Sequence, residues 1–439
     1  MNLQKYNNKK IALFGKTRAF EKNELDSLLK QYNITLLDHY QQDVVLIVEG
    51  AIMPTPLQEK IQELYKTTDV DFIDIDIFEK ELAVAIEPKK LLMSLKLSNN
   101  QERIISYLTN DYITDTLFLS LVKLYRFGNE DFFENDTNRD VTAALIRRFY
   151  KEYETNHNIQ YSNVGLINTV ENTTNPELLE TIFSLEPTQK ALYDPNHHNA
   201  KLIQILALHP QTPLQVLLHI INTKEIEYIK YIASRDQLDP TLEEKLLSMQ
   251  NKTLDTLLAY MPYLSKISIT TLLQRGYEDI IAQHITLDES LFETLHVNPF
   301  IALNPTLSLE MQKQLFKDKQ YHLYLAKNFT CKLTKELFET NDPQIKELVL
   351  RYHNISEFSF DPSGYEFQLS HNPTTPAEIL QKIYEQNNDA FNANLAKNPA
   401  TPVDILYQLS FDFRYAKDVK QNPAFSQHIK TTHAIGIFE

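Results

Sequence analysis

Several groupings in the sequence have residue types that invite chemistry, and each lacks part of what that chemistry needs. Phe14-Gly15-Lys16-Thr17 ends as a Walker A loop ends. That loop also requires a glycine five residues before Gly15, where Lys10 stands inside an apolar strand pattern. Without it no backbone cradle for phosphate forms, so a nucleotide loop is excluded there. Asp136, Asn138 and Asp140 imitate an EF-hand start, but the sixth position is Val141 instead of glycine and the twelfth is Arg147 instead of glutamate. A solvated acidic turn explains them better. His197-His198 offers two imidazoles, yet no carboxylate or third histidine follows at helical spacing, and the pair reads as polar turn residues. Asp74 and Asp76 alternate with Ile73, Ile75 and Ile77, as the wet face of a strand does. Cys331 is the single cysteine; it excludes an intrachain disulfide and cysteine-rich metal sites, and no neighbouring residue marks it as activated. The expectation is therefore of no catalytic set, no metal and no cofactor.

The 439 residues exceed one ordinary core, so two or three units are expected. Hydrophobic residues make up 43% and charged residues 23%, an ordinary soluble composition. A net charge of −15 opposes non-specific attraction to phosphate backbones and anionic membranes. The start, "MNLQKYNNKKIALFGK", has no secretory apolar region, and "VVLIVEGAIM" is broken by Glu49, too short for a membrane span. These readings point to a cytoplasmic chain with no membrane partner.

The elements announce themselves through a recurring phrase. "HNPTTPAEIL" begins at His371, "KNPATPVDIL" at Lys397 and "HPQTPLQVLL" at His209. A residue before proline is pushed out of the α region, so Asn372 and Asn398 end a preceding helix. Asn followed by Pro suits a type I turn in which the Asn side chain bonds the backbone beyond. The spacing then predicts a capping box with proline at the first helical position: Thr375, Pro376 and Glu378; Thr401, Pro402 and Asp404; Thr212, Pro213 and Gln215. Three residues before the anchors stand Leu369, Leu395, Leu206, Ile301, Leu325 and Val419. Further anchors are Asn175-Pro176, Asp239-Pro240, Asn304-Pro305, Asn328 and Asn422-Pro423. Pro373 and Pro399 lie 26 residues apart, and Pro399 and Pro423 lie 24 apart. Units of that length, each unable to bury its own apolar face, are the mark of a solenoid.

These three phrases resemble the leucine-rich repeat variant family over residues 166–439. The resemblance implies repeats that alternate an α-helix with a short 3₁₀ helix and stack into a superhelix. Family members can carry a cysteine-ligated iron–sulfur segment, which a chain with Cys331 alone cannot hold. Residues 245–300 depart furthest and read as plainer helical hairpins, and 353–369 read as a surface loop.

Residues 10–83 read as strand, helix, strand, strand, helix, strand, which implies a small, mostly parallel sheet. Order and lengths resemble a BRCT domain, whose βαββαβα plan binds protein partners, sometimes through phosphoserine. The glycine pair usual before the second strand is absent, with Asn33 as the left-handed substitute, and the usual tryptophan is missing. The resemblance implies that Gly15, Thr17 and Lys60 form a phosphopeptide or anion site. Residues 87–165 connect the two parts and contain a helix expected to be capped at Asp136 or Thr137.

The expected fold is thus mainly α: a right-handed helical-repeat solenoid, HEAT-like or of the leucine-rich repeat variant type, on residues 166–439. A BRCT-like α/β domain on 1–86 and a helical connector on 87–165 precede it. The expected function is a non-catalytic interaction scaffold for a protein or peptide. Two alternatives remain: a nucleic-acid-associated repeat protein of the DNA-repair type, which the acidity disfavours, and an enzyme assembled from distant repeats. Neither the partner's identity nor the oligomeric state is written in the sequence.

Overall fold

A computed structural model describes residues 3–18, 20–83, 87–110, 113–356 and 358–432. The described residues form 28 α-helices, short 3₁₀ helices and one parallel four-stranded sheet near the N-terminus. The chain divides into two compact units, Met1–Arg235 and Asp236–Glu439. None of the described helices is long and apolar enough to cross a membrane.

The first unit opens with β1 (Lys10–Phe14), α1 (Lys22–Gln31), β2 (Thr35–Leu37), β3 (Val44–Glu49), α2 (Thr55–Thr67), β4 (Asp71–Asp74) and α3 (Ile75–Ala83). The sheet order is β2-β1-β3-β4, every pair parallel. Both faces of β1 are buried: Ala12 and Phe14 pack with Val44, Ile47, Ile61 and Leu64, while Ile11 and Leu13 are buried on the opposite side. A parallel sheet covered on both faces needs such continuous apolar strands. Asn33 takes the expected left-handed conformation, φ 54, before β2.

One strand is shorter than its alternation predicts. Asp74 Oδ1 accepts the Asp76 N–H at 2.7 Å, which starts a helix, and Ile75, Phe78 and Leu82 are buried along one face of α3. Ile75, Phe78 and Leu82 stand at i, i+3 and i+7 and fit a helix, with Ile77 turned to solvent, and the Asx turn decides between the two patterns.

The sheet is tied to the helices Pro88–Ser98 and Gln101–Leu108. Arg103, buried, pairs with Glu24 on α1, and Ser94 donates to the same carboxylate. Phe20 stacks edge-on against Tyr107 at 5.8 Å, and Asn110 Nδ2 donates to the Lys80 carbonyl at 3.0 Å. Farther along, the helix Asp136–Phe149 is capped by Asn135, whose side chain accepts from Asn138 N–H at 2.7 Å, one residue earlier than expected.

From residue 163 onward the architecture is helical and repeat-like. In the first unit the helices Asn163–Asn172, Ala200–Leu208 and Ile226–Ala233 pack in succession. In the second, His322–Lys327, Pro343–Tyr352, Glu366–His371, Asp389–Lys397 and Ala416–Gln421 do the same. Between them run helices such as Ala377–Glu385 and Val403–Ser410. Two turns alternate. One has a left-handed residue before the next helix: Lys224, Gln250, Asn341 and Asn387, with φ between 50 and 64. Asn251, Asp342 and Asn388, next in sequence, cap the helices that follow.

The other turn carries the Asn-Pro anchor, and here asparagine does more than turn the chain. Asn398 Oδ1 accepts the Ala400 N–H at 2.8 Å, as an Asx turn requires. Its Nδ2 donates to the carbonyls of Ser370 and Asn372 in the previous repeat, both at 2.9 Å. Asn422 Nδ2 reaches Ala396 and Asn398, each at 3.0 Å. Asn372 reaches Leu350 and His353, Asn328 reaches Ala302 and Asn304, and Asn304 reaches Ala282 and Ile285. All five asparagines are buried. A primary amide offers two donors and a carbonyl in one plane, which is what two orphan carbonyls and one N–H demand. Where the asparagine is missing another donor serves: His353 Nε2 lies 2.8 Å from the Ala326 carbonyl, and Arg235 Nη1 bonds Ala207 and His209 at 3.0 and 2.8 Å.

Thr375, Thr401 and Thr212 are not the helix caps that the capping-box pattern predicts. Their helices begin at Ala377, Val403 and Leu214, with Pro376, Pro402 and Pro213 at the cap and no side-chain cap hydrogen bond. Thr375 Oγ1 and Thr401 Oγ1 turn back and donate to the Leu369 and Leu395 carbonyls, each at 2.8 Å. The hydroxyls are buried and face the end of the preceding helix, whose last carbonyls need donors. Thr212, equally buried, has no hydrogen-bond partner for its hydroxyl. Glu378, Asp404 and Gln215 are exposed in the first turns of those helices, and the two carboxylates complement the positive helix end there.

Candidate functional site

Of the residues assigned to an anion site, Gly15 has a backbone reason of its own. Gly15 has φ +96, and a Cβ there would lie 2.8 Å from Met53 Cγ and 2.9 Å from the Ala51 carbonyl. Opposite it, Gly50 donates to the Phe14 carbonyl at 2.6 Å, and Lys16 and Ala51 exchange two bonds of 2.7 Å. Gly15 is thus required by a tight crossing of two backbones just past the sheet. Thr17 is half-buried and Lys60 exposed on α2, and among the described residues no hydrogen bond or ion pair holds either. Lys16 sits in an extended bridge instead of at a helix start, so the rejected Walker loop has no structural counterpart.

A cavity of about 520 Å³ lies between the loop after β1, α3 and the helix Gln101–Leu108. Arg18, Asp76, Glu79, Arg103, Tyr107 and Asn110 line it. Its charges already have structural work. Buried Glu79 accepts the backbone N–H groups of Arg18 and Phe20 at 3.1 and 3.3 Å, and Arg18 pairs with Asp76 at 3.3 Å. Burial pushes the Tyr107 hydroxyl upward, so it stays protonated. Cys331 is likewise inert: burial raises its thiol to about 11.

The strongest surface feature is aromatic and lies in the second unit. Phe300 and Tyr324 meet edge-on at 5.6 Å, and Lys327 lies 5.9 Å over Tyr324. One repeat farther, Phe329 packs against Tyr352 at 5.0 Å, and Tyr352 approaches His371 at 6.2 Å. The Arg351 guanidinium lies over both Tyr352 and Phe367, 5.1 and 5.6 Å from the ring centres. Phe329, Tyr352 and Phe367 are exposed. These residues sit on, or just after, the successively packed helices, so the repeat itself places them in a row. Nothing in the sequence marks this row. Its members occupy different positions relative to the anchors.

One set of side chains in the described residues has metal-ligand chemistry. Asp131, His197 and His198 bring one ligand atom each within 4.8 Å of one another. No carboxylate follows the histidines at helical spacing; the structure supplies one from a loop before the helix Asp136–Phe149. The histidines themselves lie in a chain of turns before Ala200–Leu208, as expected of polar turn residues.

No family model matches this chain, and no curated protein or solved structure matches it.

Proposed function

We propose that the protein is a non-catalytic interaction scaffold, built from a BRCT-like module and a solenoid of the leucine-rich repeat variant kind, which holds a protein or peptide on its aromatic face. Support for the module reading is the succession β1-α1-β2-β3-α2-β4-α3, which follows the βαββαβα plan. Support for the solenoid reading is the succession of short helices, one of them the 3₁₀ turn Pro299–Leu303, joined by side-chain amides from repeat to repeat. The observation that carries the function is the row around Arg351, with Phe329, Tyr352 and Phe367 exposed beside a guanidinium. Aromatic rings and arginine dominate binding energy at protein interfaces because they bury large area with few rotors. An exposed cluster of this kind marks an interaction surface.

The test is quantitative capture from the native cell with full-length protein, compared with a Phe329→Ser, Tyr352→Ser, Phe367→Ser variant. Selective loss of specific partners from the variant, with its helical circular dichroism intact, is the expected result. An unchanged partner set would refute the assignment of this face.

A further inference from the structure

We infer that Asp131, His197 and His198 form a binding site for a divalent transition metal of the zinc class. Two imidazoles and one carboxylate are the donor set such ions take, commonly with solvent completing the sphere. The site is built. Asp131 is fixed by its backbone: its N–H donates to the Glu134 carboxylate at 2.9 Å and its carbonyl accepts from Asn138 Nδ2 at 3.0 Å. Its carboxylate Oδ1 accepts from Asn199 Nδ2 at 3.0 Å, and both asparagines are buried. That leaves Oδ2 turned toward the histidines, 2.9 Å from His198 Nε2. Outer-sphere amides that orient a ligating carboxylate in this way are a regular part of metal centres.

The histidine rings are stacked, 4.2 Å between centres and 27° apart in plane. Ligand atoms about 2.1 Å from a tetrahedral zinc stand roughly 3.4 Å apart. The Asp131–His198 pair, at 2.9 Å, must open by about half an ångström, and any separation near the 4.8 Å limit of the group must close. His198, half exposed and in a turn, is the ring free to move. His197 Nδ1 accepts the Asn199 N–H at 3.2 Å, which leaves its Nε2 for a metal. Loading would clip the loop before Asp136–Phe149 to the turn before Ala200–Leu208.

The test uses untagged full-length protein, stripped with chelator and titrated with Zn²⁺ by calorimetry and with Co²⁺ by visible absorption. The expected result is saturation at one equivalent, with the d–d bands of a four-coordinate site. Asp131→Asn and His198→Gln, checked for unchanged circular dichroism, should each weaken binding at least tenfold. The absence of saturable binding by the parent, or binding unaltered in both variants, would overturn the inference.

Discussion

Asn398 separates two accounts of the recurring Asn-Pro. If it only turns the chain, its oxygen matters, because Oδ1 accepts from Ala400 N–H. If it staples repeats, its nitrogen matters, because Nδ2 holds the Ser370 and Asn372 carbonyls. Asn398→Asp keeps the oxygen and removes both donors at constant shape. Each neutral hydrogen bond contributes about 1 kcal/mol net, and a buried carbonyl left without a donor costs about 1–3 kcal/mol. The Asn372 carbonyl retains Thr375 N–H at 3.2 Å, so Ser370 suffers most. Asn398→Ala should therefore cost about 2–4 kcal/mol. The aspartate should cost at least as much at neutral pH, since a buried carboxylate facing two carbonyls must stay charged or take up a proton. Protonation restores one donor, so the aspartate's penalty should shrink as pH falls toward 5. Urea unfolding followed by circular dichroism, with hydrogen exchange of amides in 366–410, reads both effects locally. An aspartate variant as stable as the parent at pH 7 would refute the staple.

Thr375→Ala and Thr401→Ala each remove one buried donor, so about 0.5–1.5 kcal/mol should be lost, visible as a lower urea midpoint and smaller than the loss for Asn398→Ala. Gln250 is held at φ 50, a conformation that is strained for residues other than glycine; Gln250→Gly should raise the urea midpoint, by up to about 1 kcal/mol, and a lowered midpoint would contradict the strain argument. Burial pushes His353 and His209 below the ordinary imidazole value. The unfolded chain then takes up protons near pH 6.5 that the native chain refuses, so stability present above that pH is lost as pH falls through it. His353→Gln should lessen the fall in urea midpoint between pH 7.5 and 5.5. A fragment of residues 1–86 exposes Glu24 and Phe20, which Arg103 and Tyr107 cover, so 1–110 should melt higher than 1–86.

Sequence legibility followed the range of the interactions. The strand–helix succession of residues 10–67 could be read because apolar periodicity and local turn residues such as Asn33 determine it. The start of the helix Ile75–Ala83 was hidden because the isoleucine alternation overlaps the helical set Ile75, Phe78 and Leu82, and the Asp74 turn arbitrates. The Asn-Pro anchors were visible, yet half of their purpose was not. The Asx turn is local, whereas Nδ2 bonds carbonyls in another repeat. Thr375 and Thr401 match a capping box in spelling, but burial sends their hydroxyls inward. Asp131 could not be associated with His197 and His198 by spacing, since only packing brings the loops together. The aromatic row has the same cause: Phe329 and Tyr352 become neighbours through helix stacking, not through a shared position in the repeat.

The claim that the second unit offers a binding face is tested most directly by hydrogen exchange on the full chain, alone and with a partner captured from the native cell. The account predicts protection concentrated at 324–329, 349–353 and 366–371, the backbone beneath Tyr324, Phe329, Arg351, Tyr352 and Phe367. Protection confined to other segments, with these three unchanged, would contradict it.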